Sequence, residues 1–283
     1  MYMSKIRLDL LLVERGLAES RSLAQRLVMA GQVRVNGELV LRAAANVSTD
    51  AQLVVEHGPR FVSRGGEKLE AALQGFNIAV RGHICADVGA STGGFTDCLL
   101  QHGAVKVYAI DVGKGILDWK LRQDGRVVVM EKINARFLER LPEAVEIITI
   151  DVSFISLKVL LPVVKDWFIP EINDGQSSQG SVIALIKPQF EAGRQQVGRG
   201  KGVIRDPLIH RQVLLDILSF ARELGYSLHG LIRSPLTGPK GNVEFLTWME
   251  CEGKQNISIE ELVESVLFVG LDGSEPTGLS FDS

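Results

Sequence analysis

Asp87-Val-Gly-Ala-Ser-Thr-Gly-Gly-Phe95 decides the reading of this chain. It follows a short apolar run, His83-Ile-Cys-Ala86, which reads as a buried strand. It precedes Thr96-Asp-Cys-Leu-Leu-Gln-His102, which reads as a helix ended by Gly103. A strand, a glycine-rich turn and a helix N-terminus form a cradle for a nucleotide-like ligand. Glycine lets the backbone approach the ligand, and the first helical N–H groups are free to bind it.

Working outward, strands are expected at 83–88, 105–110, 126–130, 145–150, 181–187, 226–232 and 243–249. Helices are expected at 67–73, 94–102, 155–166, 207–224 and 258–268. Such alternation means an α/β fold with a doubly wound, mostly parallel sheet. Only residues 234–242, rich in Gly and Pro, separate the last two strands. They leave no room for a crossover helix, so this pair must be antiparallel. Seven strands ending in an antiparallel hairpin fit the class I (Rossmann-like) methyltransferase plan, in which the seventh strand inserts beside the fifth. They do not fit the six parallel strands of a nicotinamide-binding fold. Residues 171–180 read as a polar surface loop and 272–283 as a frayed tail.

The spacing Gly89-x-x-x-Gly93-Gly94 is not G-x-G-x-x-G, and no Lys-Ser/Thr follows as in a P-loop. Asp87 stands where a carboxylate would repel a pyrophosphate but suit a cationic amino-acid group. Asp111 ends the second strand, 22 residues after Gly89, where an acid holds ribose hydroxyls in this sheet class. S-adenosylmethionine carries a ribose and an ammonium and no phosphate. Glycines alone, which any α/β turn needs, leave the cofactor open; the two acids and the strand count point to S-adenosylmethionine. Its expected contacts are Asp87, Gly89, Ala90, Ser91, Gly93, Gly94, Phe95 and Asp111. Asn134, in the loop after the third strand, either edges the adenine or is an ordinary loop residue.

Ligands of open α/β sheets sit at the carboxyl ends of the strands. Asp151 follows the fourth strand, Lys187 ends the fifth, and Glu244 opens the antiparallel seventh at the same edge. Lys68, on the helix before the first strand, can reach that rim. Singly, these residues read as a helix cap, a strand-end lysine and a solvated lysine. Together they suit proton removal from a weak nucleophile, because a lysine amine kept from water among cations can act as base. Asn-Pro-Pro-Tyr is absent after the fourth strand, which argues against methylation of a base amino group. No metal is required.

The first sixty residues differ. Leu8, Leu11 and Leu12 mark a helix over 5–15 that Gly16 stops, and Ser20 caps a second running to Ala30. Val33 and Val35 alternate with polar residues before Asn36-Gly37, a hairpin signal. Nine Lys and Arg against six Asp and Glu give residues 1–65 a charge of +3, leaving −6 for the rest of a chain of net charge −3. A basic small module beside an acidic large one suggests a division of labour. Boundaries are expected at 1–59 for the small αβ domain, 60–66 for a linker and 67–271 for the methyltransferase domain. The three cysteines form no C-x-x-C pair, and no apolar run approaches the roughly 20 residues that span a bilayer. A reduced cytoplasmic protein without a signal peptide is expected. Nothing indicates the oligomeric state.

The run from Arg7 through Ser20-Arg-Ser-x-Ala-Gln-Arg-Leu-Val to Val33-x-Val-Asn-Gly37 resembles the S4 RNA-binding domain, a likeness that extends over about fifty residues. That resemblance assigns Arg7, Arg21, Arg26 and Arg34 to RNA phosphates, with Arg64 at the joint beside them. Lys68, Asp151, Lys187 and Glu244 resemble the Lys-Asp-Lys-Glu set of FtsJ-type ribose 2'-O-methyltransferases. On that pattern Lys187 is the base, Asp151 and Glu244 orient it, and Lys68 places the ribose. The order of these segments, with Ser63-Arg-Gly-Gly-x-Lys-Leu69 and Lys187-Pro-Gln-Phe-Glu191, is similar to the TlyA family over nearly the whole chain. The similarity implies cytidine 2'-O-methylation of 23S and, in some members, 16S ribosomal RNA, with ribosomal RNA or subunits as partner. Members are also labelled haemolysins. The family joint often carries a tryptophan; here Arg60-Phe-Val-Ser63 keeps only the aromatic character. The alternatives are a membrane-acting haemolysin and an RNA- or ribosome-binding protein that transfers no methyl group.

Overall fold

The computed structural model describes residues 5–56, 58–168, 180–193, 202–251 and 257–267. The expected tail at 272–283, and the polar loop apart from Gly180, lie outside them. The chain divides into two compact units, Met1–Arg60 and Phe61–Ser283. Among the described residues no helix is long and apolar enough to cross a membrane.

In the first unit, β1 (Lys5–Arg7) leads into α1 (Leu8–Glu14) and α2 (Arg21–Met29). Then come β2 (Val33–Val35), β3 (Glu38–Leu39), β4 (Asn46–Ser48) and β5 (Leu53–Val55). Residues 5–7 are extended rather than helical. They pair antiparallel with β4, Ile6 opposite Val47, and the helix starts only after Arg7, whose ψ is 138°. The leucine spacing marks the helix face but cannot reveal a strand partner some forty residues away. The Ser20 hydroxyl accepts from the backbone N–H of Leu23, the capping bond expected there. β2 lies between β3 and β5, and Leu8, Leu12, Ala24, Val28 and Val33 form a buried core.

The second unit opens with α3 (Gly65–Gly75) and β6 (Ile84–Val88), α4 (Gly94–Gln101) and β7 (Lys106–Asp111). α5 (Trp119–Arg122), β8 (Val127–Glu131), β9 (Ile147–Ile150) and α6 (Leu157–Val164) follow. The remainder is β10 (Gly180–Ile186), α7 (Pro188–Glu191), α8 (Pro207–Glu223), β11 (Tyr226–Arg233), β12 (Phe245–Cys251) and α9 (Ile259–Leu267). The expected linker at 60–66 is not a free joint. Phe61 is buried in this unit's core, the Val62 N–H donates to Asp97 Oδ2 at 2.9 Å, and α3 already begins at Gly65.

The large sheet runs β11-β12-β10-β9-β6-β7-β8. β12 is antiparallel to both neighbours, and β10, β9, β6, β7 and β8 are parallel. The seventh strand of the sheet therefore inserts beside the fifth, as the spacing of the final hairpin requires. Period-two alternation splits the core into two layers. Val182, Ala184 and Ile186 of β10 face α6, α8 and α9, while Ile183 and Leu185 face α3 and α4. The parallel strands all end at one edge, and β12 starts there.

Candidate active site

Two cavities adjoin at that edge. One, of about 280 Å³, is lined by Asp111, Asn134, Ile133 and Phe154 among others. The other, of about 320 Å³, is lined by Lys68, Lys187, Glu244, Arg64 and the 236–239 loop. Gly89, Ser91, Asp151 and Ser153 line both. A donor in the first cavity and an acceptor in the second would therefore meet across these shared residues.

The turn after β6 makes the first cavity. Gly89 has a φ of +87°, and a Cβ there would lie 2.4 Å from the Asp151 carbonyl oxygen. Only glycine fits so close to the tip of β9. Ser91 donates its backbone N–H to Asp111 Oδ2 at 2.8 Å, and Gly113 donates to Oδ1 at 2.7 Å. Each oxygen keeps a second lone pair for a ribose hydroxyl. Asn134 Oδ1 accepts from the Arg136 N–H, which leaves its amide N–H groups for a ligand. This cradle, with its glycine-tight floor and an acid whose oxygens can still accept from hydroxyls, fits S-adenosylmethionine.

Other expected cofactor residues are placed differently. Ala90, Gly94 and Phe95 line the second cavity, and Gly93 lines neither. Asp87 also lines neither and is fully buried. Its neighbours Ala86 and Val88 face the α6 side, so alternation turns Asp87 into the layer under α4. There Oδ2 accepts from the Thr96 hydroxyl at 2.6 Å and Oδ1 from Thr149, its cross-strand neighbour, at 3.2 Å. Burial pushes its carboxyl up to about 7; the two threonines oppose this and the nearby Asp151 charge adds to it. In this structure Asp87 is a brace beneath the turn, held by Thr96 and Thr149.

The second cavity gathers the four chemistry-bearing residues. Lys68 Nζ donates to Glu244 Oε2 at 2.6 Å, and Glu244 is 2% exposed. Lys187 Nζ lies 2.5 Å from Asp151 Oδ1, a charge contact rather than an aligned hydrogen bond. It also donates to Ser153 Oγ at 3.3 Å. Sequence reasoning missed two neighbours of this set. Gln189 donates to Glu244 Oε1 at 3.2 Å, and Glu191 accepts from Ser156 Oγ and the Leu157 N–H at 2.5 and 2.8 Å. Burial raises the Glu191 carboxyl, opposed by those two bonds. Both residues stand in the quoted Lys187-Pro-Gln-Phe-Glu191, but nothing in that run announces the one-turn helix that sets their partners.

In the first unit the arginines are not uniformly outward. Arg7 makes a two-bond fork to the fully buried Asp9, at 2.9 and 2.8 Å, and Arg21 and Gln25 donate to the same carboxylate. Arg34 pairs with Glu56 at 2.5 Å. Arg26 is exposed in the last turn of α2. Arg64, also exposed, lines the second cavity.

The sheet order and the two adjoining cavities define a class I methyltransferase core that uses S-adenosylmethionine. Residues 61–251 match the family described as FtsJ-like methyltransferase, and residues 6–53 match the S4 domain. The chain belongs to the FtsJ-like methyltransferase family and carries an S4 domain ahead of the catalytic core. It is 47% identical to the rRNA methyltransferase candidate YqxC of Bacillus subtilis, over 93% of each chain. It is 44% identical to the 16S/23S rRNA (cytidine-2'-O)-methyltransferase TlyA of Mycobacterium tuberculosis, over 93% of this chain and 96% of that one. The structure of a hemolysin candidate from Streptococcus thermophilus matches with a TM-score of 0.67 and 44% identity, over 93% of this chain and 96% of that one.

Proposed function

We propose that this protein methylates the 2'-hydroxyl of a cytidine in 23S ribosomal RNA, with 16S ribosomal RNA as the second candidate substrate. The observation that carries the reading is the meeting of two lysine–carboxylate pairs, Lys68–Glu244 and Lys187–Asp151, in the cavity that adjoins the cofactor cradle. The names of the relatives from Bacillus subtilis and Mycobacterium tuberculosis support the ribosomal substrate, and the S4 domain supports RNA as partner. Such a substrate puts the protein in the cytoplasm.

Asp111, Asn134 and the 89–91 turn would hold S-adenosylmethionine, which when bound supplies an electrophilic methyl group. The chain's own task is the ribose hydroxyl, a poor nucleophile until its proton leaves. Lys187, as the neutral amine, takes that proton at Nζ. Asp151 and Ser153 aim the amine, and Asp151 stabilises the ammonium once formed. Lys68, fixed by buried Glu244, donates to the ribose and holds it against rotation. Positioning supplies much of the acceleration, because the two reacting groups are held at adjoining sites.

The test is Lys187→Ala. The variant is expected to fold and to bind S-adenosylmethionine in calorimetry, yet to incorporate no tritiated methyl into ribosomal RNA. Reverse-transcription stops on RNA treated with the unaltered protein give the nucleotide. Full activity in the variant overturns the base assignment.

A further inference from the structure

The single turn α7 follows Lys187 directly. Residues two apart on a helix leave its axis about 200° apart, so Gln189 and Glu191 reach in different directions. Gln189 reaches β12, where its amide donates to Glu244 Oε1 at 3.2 Å. That oxygen lies so near Gly238 that a Cβ there would be 2.6 Å away, so the carboxylate has little freedom. Glu191 reaches the loop after β9. It accepts from the Ser156 hydroxyl and the Leu157 N–H, where α6 begins. Between them, the Phe190 ring sits 4.9 Å from that of Phe154.

The loop from Asp151 to Ser156 needs such an anchor. Phe154 sits at a φ of +67°, a region costly for a residue with a side chain and kept only when the surroundings enforce it. Asp151 and Ser153, the two groups on Lys187, lie just before Phe154; Ser156, held by Glu191, lies just after it. Glu191 ties the far end of the loop to α7; without it Ser156 keeps only its cap on the start of α6, and the groups that aim Lys187 lose their link to α7.

We propose that α7 is a bracket that sets the two lysine–carboxylate pairs against each other. Glu191 is the positioning residue for Lys187–Asp151, and Gln189 for Lys68–Glu244. The inference rests on the reading of this cavity as the site of ribose 2'-O-methyl transfer. Both pairs must act on one ribose, yet Lys68 stands on α3 and Asp151, Lys187 and Glu244 stand at the tips of β9, β10 and β12. α7 continues directly from Lys187, and two of its side chains reach Glu244 before β12 and the Ser156–Leu157 start of α6 beyond the β9 loop.

The test uses the full chain with ribosomal RNA and tritiated S-adenosylmethionine, in single turnover well below the melting temperature. Glu191→Ala and Gln189→Ala are each expected to slow transfer about 10- to 100-fold, the usual range for loss of a positioning partner. Gln189→Ala keeps its affinity for S-adenosylmethionine within about twofold, since Gln189 touches no wall of the cradle; Glu191→Ala loses less in affinity than in rate, because the loop it anchors forms one wall of that cradle. Glu191→Gln restores most of the rate, because its amide can still accept from Leu157 and meet the Ser156 hydroxyl. The pH–rate profile moves in Glu191→Ala and returns in Glu191→Gln. If Glu191→Ala does not fold, Ser156→Ala replaces it and is expected to slow transfer about tenfold. Variants that melt earlier but keep the full rate and the same pH profile overturn the bracket. Lys187→Ala, run alongside, separates the two readings. If it is inactive while the α7 variants transfer normally, only the bracket fails; if it is fully active, the base assignment fails first.

Discussion

Asp9 and Asp87 are both fully buried carboxylates, one in each unit, and their surroundings drive them in opposite directions. Asp9 is met by cations. The Arg7 fork holds its carboxyl well below the usual range, with Gln25 and Arg21 adding to that against the opposing effect of burial. Asp87 is met by the Thr96 and Thr149 hydroxyls and the Thr96 backbone N–H, none of them a cation, and there burial wins and lifts it to about 7. Neither side chain meets solvent, but Asp87 lies deep in the layered core of its unit while Asp9 lies under partly exposed arginines, so depth and the charge of the partner together set the direction. The first carboxylate locks its unit in the ionised form. The second is a brace that is most comfortable protonated, placed under the turn that cradles a cofactor.

The largest expected effect breaks this comparison at Asp87. Its folded value lies above the ordinary 3.8, so its contribution is fully present below about pH 4 and is lost as pH rises through about 7. About three pH units correspond to a penalty on the order of 4 kcal/mol at pH 8. Asp87→Asn removes the charge and can still accept from Thr96. Its melting temperature relative to the unaltered protein should rise between pH 5 and pH 8. A difference that does not change with pH would show that the carboxyl is not charged there against a penalty. Binding of S-adenosylmethionine should persist in the variant; its loss at unchanged stability would restore Asp87 as a direct contact.

A smaller effect is expected at Asp9, with the opposite sign in pH. Its folded value is depressed, so its contribution is present above about pH 4 and fades as pH falls below that. Asp9→Asn gives up charge-assisted bonds from Arg7 and Arg21 and should cost about 2 kcal/mol at neutral pH. All three tryptophans, at 119, 167 and 248, lie beyond residue 60, so their fluorescence is blind to this loss. Hydrogen exchange of the α1 and α2 amides is the proper probe. Unchanged protection there would mean that the arginines find water as good a partner as Asp9.

How much of this could be read beforehand follows from the range of each interaction. The seven strands of the large sheet are runs of apolar and β-branched residues, and the short final loop forces the antiparallel pair. Those signals are local, and the structure agrees with them. The place of Asp87 was not local. Ala86 and Val88 are apolar on the opposite face, but in a strand buried on both sides an apolar pair does not say which face belongs to the ligand. Lys5–Arg7, Asn46–Ser48 and Leu53–Val55 are strands of three residues, too short to show a period, and each exists through a distant partner. In the site, Lys68, Asp151, Lys187 and Glu244 were legible because topology brings strand ends together. Gln189 and Glu191 were visible as letters only, since their partners depend on a one-turn helix that the pattern does not announce.

Arg26 sharpens the comparison with the smallest effect on stability. Arg7 and Arg21 sit in the same unit, but removing either takes a partner from a buried carboxylate, so any loss of RNA binding is mixed with a loss of folding. Arg26 is exposed at the end of α2, and truncating such a residue usually changes stability by less than about 0.5 kcal/mol. If it neutralises an RNA phosphate, Arg26→Ala should weaken binding of ribosomal RNA fragments several-fold. It should also lower the slope of log affinity against log salt by about one. S-adenosylmethionine affinity should not move, because the residue belongs to the other unit. Titrations at three or more salt concentrations check this. A parallel drop at every salt concentration would mean that Arg26 shapes the surface without touching phosphate, and an unchanged curve would remove it from the RNA-binding face.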